Sequence, residues 1–315
     1  MRRVKIEPVA AAAHVFAENH QCEICGIFDE LSAVEISDCS VERNGGILCY
    51  AYKAMNYTEK MPRYDLYIKS YNNESHLFNY GKDAGFKTSK FPFSHTNILN
   101  TNINRITFVN KTKLDKTGYR LFSGCDNAKY IDVSNLDVSE AENVDRMFSY
   151  CSSLLEVNVG EFNARKAKSA QYMFVNNWYL RTIKGHIYFE NVENLECMFD
   201  DCHELKNVDF SGFNVENVTT FSGMFYGCES LVYLDLSNFK NSKATYISHM
   251  FEECDQLSSV DLSGFDTVNL KSAYATFQYT ENLKKVYVSN KWILSENCDT
   301  KKMFNESTCS EVTVK

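Results

Sequence analysis

Residues 217–239 read NVTTFSGMFYGCESLVYLDLSNF, and this unit returns in both directions along the chain. The phenylalanine of its Met-Phe pair, Phe225, recurs as Phe122, Phe148, Phe174, Phe199, Phe251, Phe277 and Phe304, at steps of 25 to 27 residues. A period this constant marks an array of small units, each unable to cover its own apolar face and each covered by its neighbours.

Counted from that phenylalanine, apolar residues stand seven, four and one places earlier, as in Val218, Phe221 and Met224 or Ala244, Ile247 and Met250. Those offsets lie on one stripe of an α-helix, so the spacing predicts a short amphipathic helix in each unit, too short to stand without packing. Three places after the phenylalanine comes cysteine (Cys125, Cys151, Cys202, Cys228, Cys254), replaced twice by Asn177 and Thr280. The pattern then becomes L-x-x-L-x-L, as in Leu231, Leu234 and Leu236, whose last two members alternate with polar residues and predict a strand. Asn135, Gly212, Asn238 or Gly264 follows at a turn position, and Phe213, Phe239 or Phe265 closes the unit.

Strand, turn, helix and return at a fixed period is the plan of a leucine-rich repeat. The C-x-x-L-x-x-L-D-L-S-x-F and MF-x-x-C signatures, in VTTFSGMFYGCESLVYLDLSNF and SHMFEECDQLSSVDLSGFD, resemble the BspA-like leucine-rich repeats of bacterial surface proteins. The expected fold is α/β: a right-handed leucine-rich-repeat solenoid over residues 96–315, of about 26-residue repeats with a strand plus a short helix each, behind a small β-rich domain at 1–95. The resemblance implies a scaffold that serves many ligands, and it makes a bacterial cell-surface adhesin one alternative role. Two copies depart from the pattern. NNWYLRTIKGHIYFENVENLECMF shifts its strand around Gly185, where a bulge is expected, and TFQYTENLKKVYVSNKW loses both the methionine and the cysteine. At the array's start, Ile103, Ile106 and Phe108 fit a degenerate first strand.

Residues 1–95 lack the repeat. Residues 32–39, 46–55 and 63–71 read as strands, rich in β-branched and aromatic residues, with a further short strand at 76–80. HQCEICG places Cys22 and Cys25 in a C-x-x-C turn that can grip one face of a tetrahedral zinc ion. Cys39 and Cys49 complete a candidate structural zinc set, with His14 or His20 as substitutes; ordinary free thiols are the competing reading. CEICG and AVEISDCSVERNGGILC also resemble, faintly, the ββα metal finger of HNH endonucleases. No histidine lies between Cys25 and Cys49 to act as general base, so this alternative is a degenerate finger in an effector that the repeats would target.

Bulk properties narrow the function classes. A net charge of −8 argues against nucleic acid as the partner, and no run of eighteen apolar residues is present to insert in a membrane. The basic start MRRVKIEP leads into an alanine-based run bracketed by Glu7 and His14, a poor match to a cleavable leader. With five cysteines at one repeat position suited to reduced thiols, a cytoplasmic setting is expected; the cell surface is the alternative. No serine–histidine–acid arrangement, phosphate loop or H-E-x-x-H motif occurs, and no enzymatic activity is expected.

The outward positions of the predicted strands carry the functional expectation. Asp132, Asn158, Asp209, Asp235 and Asp261 form one column and Ser134, Ser211, Ser237, Ser263 and Ser289 the next, bordered by Tyr130, Tyr233, Lys285 and Tyr287, with Lys184 and His186 in the irregular copy. Two readings stand. Either each aspartate accepts local hydrogen bonds and belongs to the scaffold, or the strip docks another protein through its charges and hydroxyls.

Overall fold

The computed structural model describes Val34–Glu35, Ile47–Lys53, Tyr64–Ser70, His76–Leu77 and 103–315 except residue 242. It is a parallel β-solenoid whose coils are about 26 residues long. One seven-stranded sheet runs in the order β1 (Val34–Glu35), β2 (Ile47–Lys53), β3 (Tyr64–Ser70), β5 (Ile103–Phe108), β7 (Tyr130–Asp132), β9 (Glu156–Asn163), β10 (Thr182–Tyr188). A second sheet continues with β11 (Tyr233–Asp235), β12 (Ser259–Asp261), β13 (Lys285–Val288) and β14 (Thr313–Val314). β4 (His76–Leu77), β6 (Thr112–Leu114) and β8 (Leu136–Asp137) form a third, three-stranded sheet. Only β1–β2 and β2–β3 are antiparallel; every other pairing is parallel, as successive coils require.

The strands expected before residue 95 are present, and they join the array. β3 pairs with β5 from Tyr64 opposite Ile103 to Ile68 opposite Phe108, so the boundary expected near residue 95 falls between two strands of one sheet.

No helix forms among the described residues, and the helix expected in each unit is replaced by a ladder of tight turns. The residue two places before each ladder phenylalanine (Arg120, Arg146, Tyr172, Cys197, Gly223, His249, Ala275, Lys302) has positive φ, and so does the residue two places after it (Gly124, Tyr150, Asn176, Asp201, Gly227, Glu253, Tyr279, Glu306). An α-helix needs φ near −63°, and a left-handed residue every fourth position forbids it. The backbone donors then alternate. Leu121 N–H returns to Gly118 O at 3.1 Å and Ser123 N–H to Arg120 O at 3.1 Å, closing turns. Arg120, Phe122 and Gly124 N–H instead cross to Asp145, Met147 and Ser149 of the next coil, at 3.0, 2.8 and 2.9 Å. A two-turn helix would keep all its bonds to itself; the turn ladder spends half on its neighbour, which makes each coil a template for the next. The three-residue apolar spacing survives because a chain of turns repeats at nearly the helical pitch: Val218, Phe221, Met224 and Phe225 are all buried.

The core is a set of columns. Phe122, Phe148, Phe174, Phe199, Phe225, Phe251, Phe277 and Phe304 stack ring on ring at 5.1 to 5.6 Å with interplanar angles of 13° or less. That spacing is set by the coil-to-coil distance of about 5 Å and gives parallel, offset contacts. Beside them the cysteine column donates across coils: Cys151, Cys202, Cys228 and Cys254 Sγ lie 3.0 to 3.2 Å from the carbonyls of Phe122, Phe174, Phe199 and Phe225. Asn177 fills the same role with its amide, 2.9 Å from Phe148 O, which explains why a polar residue replaces cysteine there.

The strand pairing is interrupted where the sequence becomes irregular. The register of β9 and β10 shifts between Lys184 and Gly185, as the sequence predicts. Gly185 has φ +94, and a Cβ on it would lie 2.2 Å from Gly160 O, so only glycine fits the joint. The strand expected in the following coil, through Val208 and Phe210, does not form. Val133, Val159, Leu236, Leu262 and Val288 occupy the position that Phe210 holds in its own coil. The Phe210 ring makes edge contacts with Phe213, Phe225 and Phe239 at centroid distances of 5.2, 5.9 and 5.3 Å.

Candidate binding face

Strand alternation builds the face. Ile131, Val157, Leu234, Val260 and Val286 point into the core, so the residues on either side point out. Pairing aligns them in rows: Tyr130 opposite Glu156 opposite Thr182, and Asp132 opposite Asn158 opposite Lys184. In the second sheet, Tyr233 lies opposite Ser259 and Lys285, and Asp235 opposite Asp261 and Tyr287.

The acidic column serves the scaffold through one carboxylate oxygen. The Oδ1 of Asp132, Asp209, Asp235 and Asp261 accepts the backbone N–H of Ser134, Ser211, Ser237 and Ser263 at 3.0, 2.8, 2.9 and 2.9 Å. Asn158 Oδ1 does the same for Gly160 at 3.2 Å. Each side chain thus closes the turn that ends its strand. The second oxygen is left for other partners, and these differ along the array. Asn158 Nδ2 donates to Asp132 Oδ2 at 3.1 Å, His186 Nε2 lies 3.3 Å from Asp209 Oδ2, and Lys315 Nζ pairs with Asp261 Oδ2. Among the described residues no cation pairs with Asp235.

Around the register shift, Lys184 Nζ reaches Glu156 at 2.9 Å, and His186 bridges Asp209 and Glu161, its Nδ1 3.3 Å from Glu161 Oε1. Tyr188 donates to Glu161 Oε2 at 2.6 Å. Hydrogen bonds from Tyr188 and then His186 hold the Glu161 carboxyl below its ordinary pKa, and the Ser211 donors do so for Asp209.

The residues expected on the face are distributed unevenly. Lys184, His186, Asp209, Tyr233 and Asp235 are exposed; Tyr130, Asp132, Asn158, Ser237 and Tyr287 are half-buried. Asp261 departs from expectation: only 4% of it is exposed, because Lys315 lies over it. Burial pushes its pKa up, yet bonds from Lys315 and Ser263 outweigh that and leave it lowered. Glu156, Glu161, Tyr188 and Lys315 belong to the face and were not among the expected residues. Glu161 and Tyr188 have a sequence signal in the alternation of VNVGEFN and TIKGHIY, which extends β9 and β10 beyond the three-residue strands of other coils.

Cys22, Cys25 and Cys39 of the candidate zinc set lie outside the described residues. Cys49 lies on β2, opposite Ile68 of β3. Among the described residues no group of three or more histidine, cysteine, aspartate or glutamate side chains is placed to hold a metal ion.

The sequence pattern of a family described as "Mycoplasma protein of unknown function, DUF285" matches three overlapping spans, residues 87–207, 116–233 and 193–314. The chain belongs to this family. The overlap of the three spans reflects the repeat, since a DUF285 span covers several coils and can start on more than one. A solved structure of a leucine-rich repeat protein from Eubacterium ventriosum is similar to this DUF285 chain at 13% identity, covering 89% of this chain and 96% of that one, with a TM-score of 0.33. No curated protein matches.

Proposed function

We propose that the chain is a non-enzymatic recognition module whose strand face binds another protein. The observation that carries this reading is the exposed pair Tyr233 and Asp235 on β11, a strand whose backbone is paired with the next coil, with Asp209 exposed one coil earlier. Side chains mounted on such a framework are already ordered, so little conformational entropy opposes binding. The resemblance to BspA-like repeats supports the same reading, as that family presents ligands on this kind of scaffold. The thiol column, whose members act as S–H donors, supports a reducing, cytoplasmic setting.

The test is residue-specific crosslinking in extracts of the native cell. A photoreactive group at Tyr233, on the strand face, is compared with one at Tyr279, on the turn face. Defined protein adducts from Tyr233 that disappear in Asp209→Asn/Asp235→Asn support the reading. Asparagine keeps the turn-closing oxygen, as Asn158 shows, and removes only the charge. Adducts from Tyr279 alone would move the binding surface to the turn ladder and end the proposal.

A further inference from the structure

Where tyrosine and carboxylate come together on the strand face, one of the chain's own cations lies over the ring at Tyr130, Tyr188 and Tyr287, and at one further place it does not. Arg105 lies 4.6 Å over the Tyr130 ring, with Asp132 two residues further along that strand. Arg165 lies 5.2 Å over Tyr188, whose hydroxyl is bonded to Glu161. Lys315 lies 4.5 Å over Tyr287 and pairs with Asp261. The exception is Tyr233 and Asp235 on β11. Tyr233 is 52% exposed and Asp235 is exposed; among the described residues no cation lies over the Tyr233 ring or pairs with Asp235, and Lys315, seated on Tyr287 and Asp261, reaches Tyr233 only through its electrostatic field.

The vacant pair has the spacing of Tyr130 and Asp132, two residues apart on one strand, whereas Tyr287 and Asp261 face each other across adjacent strands. Tyr233 and Asp235 are two residues apart on one strand, about 7 Å along the sheet face. A lysine or arginine side chain can therefore rest its stem on the ring and place its charge at the carboxylate. Asp235 Oδ1 is committed to Ser237 N–H, and Oδ2 remains to accept. Asp261, opposite Asp235, shows what such a site holds: an ammonium group, supplied here by Lys315.

We infer that Tyr233 and Asp235 form a seat for a lysine or arginine side chain on a basic segment of a partner protein, beside the seat that Lys315 fills. This rests on the strand face being the recognition surface and adds the chemistry of what it recognises. Each contact is modest, on the order of 0.5–1 kcal/mol for a cation on an exposed ring and up to about 1 kcal/mol for an exposed ion pair. Recognition through this seat is therefore fast, reversible and weakened by salt.

The experiment titrates the full chain into three fluorescent hexapeptides: alternating Lys-Ser, the same with Nε-acetylated lysines, and alternating Glu-Ser. The Lys-Ser peptide is expected to bind and the other two not. Asp235→Asn and Tyr233→Leu should each weaken binding roughly 3- to 10-fold, and Lys315→Ala should strengthen it several-fold by removing the resident cation and freeing Asp261. Thermal midpoints of the three variants confirm folding. Unchanged affinity in both Asp235→Asn and Tyr233→Leu, or equal binding of the acetylated peptide, overturns the inference. Spermidine competing as strongly as the peptide would make the ligand a free polyamine and overturns the protein-segment assignment. If no lysine peptide binds while Tyr233 still crosslinks a cellular protein, the inference falls and the recognition face stands. If neither occurs, both fall.

Discussion

The Cys228 thiol donates to the carbonyl of Phe199 at 3.1 Å, across the joint between two successive coils. The same carbonyl already accepts the N–H of Cys202 within its own coil, so Phe199 is tied once locally and once by its neighbour. Burial pushes the Cys228 thiol well above its ordinary pKa, so it stays protonated and keeps donating. Replacing Cys228 by alanine removes a weak donor and leaves a small void. The expected loss is about 1–2 kcal/mol, read as a fall in urea midpoint. In the folded protein Cys228 should also resist alkylation at pH 8. A variant as stable as the parent would show that the thiol only fills space.

Phe225 sits in the middle of the ring column, between Phe199 and Phe251 at 5.6 Å on either side. Phe304 ends the column with one stacked neighbour, Phe277, and is only half-buried. Truncating a buried phenylalanine to alanine costs about 3–5 kcal/mol where the cavity cannot close. Phe225→Ala should therefore cost at least twice what Phe304→Ala does in denaturant unfolding. Stability in a solenoid is a sum over coils and joints, so Phe225→Ala should also broaden the transition by uncoupling the two halves. Equal losses at both positions would contradict a column whose members depend on neighbours from two sides.

Arg120 distinguishes the turn ladder from the helix that its spacing suggests. It is exposed with φ +55, at the position occupied by Gly223 four coils later. A side chain in the left-handed region costs roughly 1 kcal/mol that glycine does not incur, whereas glycine inside a helix costs about 1 kcal/mol relative to alanine. Arg120→Gly is thus expected to raise stability by up to about 1 kcal/mol, less a few tenths for its 5.4 Å contact with the Tyr119 ring. A fall in thermal midpoint would be the helical outcome and would refute the ladder at this position.

This residue also shows why the fold was only partly legible. Period, core columns, strands and the bulge at Gly185 all follow from side-chain volume and alternation, which a sequence displays directly. The turn ladder depends on backbone handedness, and its usual signal is glycine or asparagine. Here arginine, tyrosine, histidine, alanine and lysine hold positive φ at Arg120, Tyr172, His249, Ala275 and Lys302, because bonds to adjoining coils impose it. Gly223 and Gly227, on either side of Phe225, were the available clue. A second clue lay five places before six of the eight phenylalanines, where Thr117, Asn143, Asn194, Thr220, Ser272 and Asp299 each accept the N–H two residues on. Such residues favour turns over helix interiors. On the binding face the aspartate column was legible, but its division was not. That Lys315 covers Asp261, while no cation among the described residues pairs with Asp235, depends on a contact 54 residues apart in the chain.

Asp200 carries a pH-dependent weakness in the turn ladder. Burial, opposed by a bond from the Cys197 thiol and reinforced by Asp201 and Glu253, raises its pKa from 3.8 to about 6. A carboxyl whose folded pKa is raised binds more protons in the native than in the unfolded state across that interval. Stability then falls as pH rises from about 4 to about 6 and stays reduced above it. The direction is opposite to that of Asp209 and Glu161, whose lowered pKa values contribute stability that is lost on acidification. Asp200→Asn keeps an oxygen for the Cys197 thiol and removes the charge. At pH 8 it should stabilise the chain by roughly 1–3 kcal/mol, and the gain should shrink to nothing below about pH 4. Urea midpoints of parent and variant at pH 4, 6 and 8 give the comparison. A gain that is the same at all three values would trace it to packing, and a loss at pH 8 would show that the Asp200 carboxylate is stabilising as it stands.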